Sequence, residues 1–273
     1  MTTYAYHPAD GAVLSGHQLT FGYRDHPVAC NLDVQIPSGS FTAIIGPNGC
    51  GKSTLLRTLC RLLEPQLGEV QLQRRPLAHY SGRELAKQIG LLAQSASAPE
   101  GIQVLELVAR GRYPHQSWLR QWHQDDEQAV TEALQMTDLT ELAHCRVDTL
   151  SGGQRQRVWV AMVLAQQTPL ILLDEPTTYL DISHQIELLE LFHALNHQSG
   201  RTLVAVLHDI NQACRYASHL IAMRAGCIVA EGSPNEIVTA ELMQQVFGLS
   251  CSVIPDPVSQ TPLIIPHRSP IWL

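Results

Sequence analysis

Long apolar runs are missing from this chain of 273 residues. The best candidate, 158–165, falls far short of the roughly 18 residues that a membrane-spanning helix needs. The opening MTTYAYHPADG has neither a basic start nor an apolar core, so no secretory signal is expected and the chain reads as cytosolic or peripheral. Charged residues make up only 16%, which is low for a freely hydrated surface and hints that a partner covers part of it. The net charge of −7 argues against a nucleic-acid backbone as the main partner, while leaving room for a local basic patch. Seven cysteines, at 30, 50, 60, 145, 214, 227 and 251, form no C-x-x-C pair and no zinc spacing. An odd, scattered set of this kind fits free thiols in a reducing compartment. Thirteen histidines mostly stand singly beside polar residues, so no metal cluster built by the protein is expected. What the chain does have is apolar material, 45%, enough to fill one large domain or two smaller ones.

One stretch organises the rest. The apolar run 41–45 (FTAII) enters Gly46-Pro47-Asn48-Gly49-Cys50-Gly51-Lys52-Ser53-Thr54, and Leu55, Leu56, Leu59, Leu62 and Leu63 then recur at roughly helical spacing. Gly46, Gly49 and Gly51 let the backbone curl until its N–H groups converge on one spot. The free N–H groups at the helix start add to that positive potential. Lys52 supplies a mobile cation for outer phosphates, and the Ser53 hydroxyl is a magnesium ligand. The pattern G-x-x-x-x-G-K-[ST] is met in full, in the strand–loop–helix context it requires, and points to a nucleotide phosphate site. Cys50, inside the loop, is expected to be buried against nucleotide rather than to do redox work.

Residues 13–21 and 28–36 read as two strands paired across the turn 22–27. Tyr23 on that turn is either an ordinary surface aromatic or a platform for an adenine ring. A short strand over 69–72 follows the loop's helix, then a segment of mixed character over 85–93 ending at Gln94. The small-residue stretch 95–101 reads as a boundary. Beyond it the period turns helical: Val104, Leu105, Leu107 and Val108 suggest one helix, 125–134 another, Leu139 and Leu142 a third. Tyr113, Trp118 and Trp122 lie among polar groups here, as a satellite core or as a surface that a partner covers. Leu150-Ser151-Gly152-Gly153-Gln154 then opens a helix over 154–166, with Ser151 placed as its N-cap. It is either a plain glycine turn or a second anion-friendly helix start. The run 170–173 ends in Asp174-Glu175 and reads as a central parallel strand with its carboxyl end toward ligand. Asp174 there would hold a magnesium shell through water, and Glu175 would orient or deprotonate attacking water. A helix over 186–193 precedes a buried strand, 203–207, that ends at His208 on the nucleotide-facing edge. Strands over 220–223 and 227–230, a short helix from Asn235 and a last helix to Phe247 follow. The proline-rich tail from Cys251 reads as an extended strap or a partly disordered end.

Taken together, GPNGCGKST at 46–54, Gln94, LSGGQ at 150–154, LILLDE at 170–175, YLD at 179–181 and His208 resemble, in order, the ATP-binding cassette of membrane transporters. The resemblance covers about residues 10–250 and implies an α/β fold: a P-loop NTPase core with a RecA-like, mostly parallel sheet, an N-terminal antiparallel β subdomain and an inserted α-helical subdomain. The expected division is 10–94 with 155–250 as core, 95–154 as the helical insert carrying the signature motif, and 251–273 as tail. The implied cofactors are ATP and Mg2+. Residues 46–54 would cradle the phosphates, and Tyr23 would stack on adenine. Gln94 would touch magnesium and the attacking water, and Asp174 would support the metal with Ser53. Glu175 would be the catalytic base, while His208 and Lys52 would hold the γ-phosphate. Ser151, Gly152, Gly153 and Gln154 would bind the ATP of a second copy, and Asp181 would link the two sites. One nucleotide needs one phosphate cradle, yet the chain offers two anion-binding helix starts, which favours a head-to-tail dimer.

Within the family, 99–116, 163–196 and 204–226 look most like the ATPases of ferric siderophore importers, of the dicitrate, hydroxamate and enterobactin type. That implies two helical permease subunits, indirectly a substrate-binding protein, no nucleic acid, and a peripheral place on the cytoplasmic face of a bacterial inner membrane. A cobalamin or haem importer is the alternative, and a non-transport cassette ATPase a more distant one.

Overall fold

The computed structural model describes residues 11–23, 26–94, 97–116, 122–178 and 180–267. Trp118, Ser95, Tyr179 and the last six residues, which figure among the expectations above, lie outside them. The chain divides into two compact units, one running to Leu77 and resuming at Thr202, the other Ala78–Arg201.

The first unit opens with β1 (Ala12–Tyr23), β2 (His26–Pro37), β3 (Phe41–Ile45), α1 (Lys52–Leu59), β4 (Leu67–Leu72) and β5 (Arg75–Pro76). β1 lies between β2 and β4 in an antiparallel sheet ordered β2-β1-β4-β5. All five residues of β3 are buried, the unbroken apolar pattern of a strand covered on both faces. On α1, Leu55, Leu56 and Leu59 are fully buried, each contributing about 1.5–3 kcal/mol. The leucine spacing overstates this helix, which ends at Leu59. Arg61 takes a φ of 61°, the N–H groups of Leu62 and Leu63 both turn back to the Arg57 carbonyl, and Leu62 is 65% exposed.

The second unit contains α2 (Gly82–Ala86), β6 (Ile89–Leu92), α3 (Val104–Ala109), α4 (Gln124–Met136), α5 (Gly152–Ala165), β7 (Leu170–Asp174) and α6 (Ile182–Ser199). β6 runs parallel to β7, and α3 and α4 pack on α5. A buried ion pair pins their ends together. Arg112 Nε donates to Asp126 Oδ1 at 2.8 Å while its Nη1 reaches the Ala165 carbonyl (2.8 Å) and Gln167 Oε1 (3.0 Å). Asp126 Oδ2 accepts the His123 N–H at the start of α4. Helix α6 begins four residues earlier than the apolar pattern suggests, because Asp181 caps it by accepting the His184 N–H at 3.0 Å.

The first unit is completed by β8 (Thr202–Val206), α7 (Ile210–Tyr216), β9 (His219–Arg224), β10 (Cys227–Gly232), α8 (Pro234–Ile237), α9 (Ala240–Phe247), β11 (Cys251–Pro255) and β12 (Pro262–Pro266). β3 is flanked by β8 and β9, both parallel to it. The tail departs from the strap or disordered end expected of its prolines. Residues 251–266 form an antiparallel hairpin in which Pro255 faces Pro262, so the prolines sit at strand ends where no ladder donor is lost. Asp256 Oδ1 closes the turn by accepting the N–H groups of Val258 and Ser259. Asn211 on α7 clasps β12, accepting from Ile264 N at 2.8 Å and donating to its carbonyl at 3.3 Å.

Candidate active site

Strand register builds the site. In the first unit Ile44 is level with Val206, and Leu207 N donates to the Ile44 carbonyl. Two residues past that pair stand Gly46, where the loop begins, and His208, exposed on the same carboxyl edge. Gly46 takes a φ of 152°, and a Cβ there would lie 2.2 Å from the Met223 carbonyl oxygen, so only glycine lets the loop pass this close to β9. The Cys50 carbonyl accepts the Gly226 N–H at 3.0 Å, tying the loop to the turn after β9, and Cys50 is buried within the protein itself. No side chain caps the first turn of α1, so its N–H groups stay available to an anion. Lys52 is buried, and its Nζ donates to the carbonyls of Gly46 (2.8 Å) and Pro47 (3.0 Å), which holds the cation inside the loop. Asn48 and Gly49 form an exposed lip, Thr54 is buried and Ser53 half-buried. Tyr23 is 49% exposed, and its hydroxyl accepts from Arg57 Nη1 at 3.0 Å, which fixes the ring beside α1.

The second unit repeats the device. Leu92 is level with Leu173, and two residues past that pair stand Gln94 and Glu175. Their side chains meet: Gln94 Nε2 donates to Glu175 Oε2 at 2.8 Å. Thr178 Oγ1 lies 3.2 Å from the same oxygen. Glu175 takes a φ of 54°, left-handed for a non-glycine residue, at a cost of about 1–3 kcal/mol that the surrounding bonds must offset. Asp174, the last residue of β7, is buried. Ser151 caps α5 through a reciprocal pair: Gln154 N donates to Ser151 Oγ and Ser151 N to Gln154 Oε1. Ser151 and Gly152 are exposed. Hydrogen bonds from the His184 N–H and the Ser183 hydroxyl hold the Asp181 carboxyl below the usual carboxylate range.

These residues fit nucleotide and metal. The loop's left-handed glycines, buried ammonium and uncapped helix start form an anion cradle. In the second unit the Gln94 carboxamide oxygen left over by its donor bond and the Asp174 carboxylate are hard oxygen donors of the kind magnesium prefers, as is the Ser53 hydroxyl within the first. A bound magnesium ion would neutralise charge building on the phosphoryl oxygens. Such a fold and site define a P-loop ATPase.

Comparison narrows the class. The ABC transporter family profile matches residues 29–178. The ferric enterobactin transport ATP-binding protein FepC of Escherichia coli (strain K12) is 64% identical over 255 residues, spanning 93% of this chain and 94% of that one. Among solved structures, an inward-facing ABC transporter of metal-chelate type aligns with a TM-score of 0.80 at 30% identity, over 95% of this chain and 98% of that one. A dimeric ATP-binding cassette in a post-hydrolysis state, bound to ADP and Pi, aligns at 0.72 and 30% identity, over 81% and 98%. The chain belongs to the ABC transporter family, and it hydrolyses ATP in a magnesium-dependent reaction.

Three participants escaped the sequence reading: Thr178 on the Glu175 carboxylate, Arg57 on Tyr23, and Gln156, whose Nε2 donates to the Pro176 carbonyl at 3.0 Å. The Pro-Thr-Thr turn after Glu175 was a usable signal for the first. The other two join positions 34 and 20 residues apart that no pattern connects.

Proposed function

We propose that this chain energises uptake of an iron(III)-siderophore complex through a partner permease. The observation that carries the cargo is the 64% identity to a ferric enterobactin transport protein over 93% of the chain. The ATPase works as a head-to-tail pair: residues 46–54 of one copy hold ATP, and Ser151, Gly152, Gly153 and Gln154 of the other cover the γ-phosphate. The uncapped start of α1 and the exposed, glycine-rich start of α5 support this reading, as does the dimeric relative. Each charge-assisted contact made on closure contributes roughly 1.5–3 kcal/mol, so a few per site suffice to drive it. Glu175 activates water that Gln94 helps place, Asp174 and Ser53 support magnesium, and Lys52 and His208 hold the γ-phosphate. Tyr23 stacks on adenine, and Asp181 links the two sites. Hydrolysis removes the phosphate bridge and the pair reopens.

Residues 95–154 act as the helical insert that receives the permease, with Tyr113, 61% exposed, on its docking face. Two permease subunits and, through them, a substrate-binding protein complete the importer. No described helix is long and apolar enough to cross a membrane, which accords with a peripheral place on the cytoplasmic face of the inner membrane. The test is uptake of radiolabelled ferric siderophore by vesicles carrying this chain and its co-purified permease. ATP-driven uptake that Tyr113→Asp abolishes, with solution ATPase intact, is expected. Uptake of cobalamin or haem instead, or of no chelate, would overturn the cargo.

A further inference from the structure

The first turn of α5 carries the glycines that the proposed dimer turns toward the partner's ATP. The same turns of that helix grip the loop bearing the chain's own catalytic carboxylate. Gln156 Nε2 donates to the carbonyl of Pro176, the residue directly after Glu175. A Cβ on Gly153 would lie 3.2 Å from Leu180 Cδ2, so Leu180 packs against the helix start, and the Leu180 carbonyl accepts from Gln185 on α6 at 2.8 Å. Arg157, next along α5, is paired with Glu187 of α6. The grip therefore acts at Pro176, at Leu180 and on the helix beyond.

Glu175 needs such restraint. Its φ of 54° is held against the ordinary preference of a non-glycine residue, and its carboxylate must stay aimed at water while it accepts from Gln94 and Thr178. Without the Gln156 donor, the Pro176–Thr177 peptide keeps only the turn bond from Thr178 N to the Glu175 carbonyl (3.2 Å), and Glu175 has less to hold it in the left-handed region. We infer that Gln156 is a positioning residue that couples the two catalytic sites. It makes the cap on the partner's ATP and the base for the chain's own ATP one mechanical piece, so that docking of the cap sets the aim of the base. This rests on the head-to-tail dimer proposed above.

The test measures ATPase rate against ATP concentration for the full chain, as wild type, Gln156→Ala, Gln156→Glu and Gln156→Lys. Glutamate keeps the shape but has no proton to give the carbonyl; lysine keeps a donor within reach. The alanine and glutamate variants are expected to lose kcat by about tenfold or more with KM within about twofold. Their Hill coefficient should fall from near ~2 toward ~1, and the lysine variant should recover both quantities at least in part. Unchanged kcat and cooperativity in Gln156→Glu would overturn the inference. So would equal losses in all three variants accompanied by a lowered unfolding midpoint, the mark of a merely structural role. A non-cooperative wild type that forms no ATP-dependent dimer would instead bring down the dimer reading itself, and the coupling with it.

Discussion

Replacing Glu175 by glutamine changes one proton acceptor and little else. Glu175 Oε2 receives Gln94 Nε2 at 2.8 Å and lies 3.2 Å from Thr178 Oγ1. A glutamine carbonyl oxygen in the same place satisfies both donors, and its amino group takes the position of Oε1. Only the charge-assisted part of each bond is lost, so stability should fall by at most about 1 kcal/mol, a shift of roughly 2–4 °C in Tm. On the role proposed for Glu175, what disappears is the basic carboxylate that would receive the proton of attacking water. A positioned general base contributes 10²–10⁴-fold, or about 3–5 kcal/mol of barrier. Glu175→Gln should therefore cut kcat at saturating ATP and magnesium by roughly that factor, with KM nearly unchanged. Because the γ-phosphate then persists, a dimer should accumulate on gel filtration with ATP–Mg. A variant retaining more than about a tenth of wild-type kcat would refute the role given to the carboxylate, and a strictly monomeric profile would refute the closure it is meant to trap.

Lys52→Ala should abolish measurable binding of a labelled ATP analogue, because the ammonium held by the Gly46 and Pro47 carbonyls is the one cationic side chain of residues 46–54; near-normal affinity would contradict the phosphate site. Arg112→Met takes the guanidinium from the buried Asp126 carboxylate and should cost about 3–5 kcal/mol by urea unfolding, whereas Arg112→Met with Asp126→Asn should recover much of that; a single-mutant loss under about 1 kcal/mol would contradict it. Burial holds the His219 imidazole below its usual pKa, opposed by Glu236. Neutral His219 is thus the form favoured by folding. Its contribution is complete above the unfolded pKa of about 6.5 and is lost as pH falls below it toward the folded value. The decline in Tm between about pH 7 and pH 5 should be shallower in His219→Leu, and superimposable profiles would exclude His219 as a source.

Most of the candidate site was legible because its residues were expected where strands end, and strand ends are marked by apolar runs that stop. FTAII before Gly46, LILL before Asp174 and LVAVL before His208 each announce an edge. Parallel register then brings Gln94 level with Glu175, across 81 positions that no local pattern spans. Periodicity failed where capping decides: Arg61 in a left-handed turn stops α1 before its last leucines, and Asp181 starts α6 early. Proline content misread the tail, since a proline disrupts a strand only where a ladder donor is needed, and Pro255, Pro262 and Pro266 stand at hairpin ends. The Gln156 bond lay beyond reach altogether, because a single glutamine whose partner stands 20 positions on has no period and no motif of its own.

The two parallel neighbours of β3, β8 and β9, begin at Thr202 and His219. During synthesis, FTAII therefore leaves the ribosome with both edges unpaired and waits for roughly 160 further residues, some 10–30 s at ordinary bacterial elongation rates. The nucleotide loop is among the first functional segments made and among the last to acquire its shape. A newborn chain thus carries an unpaired apolar strand through more than half of its translation, open to wrong pairings until its partners are made.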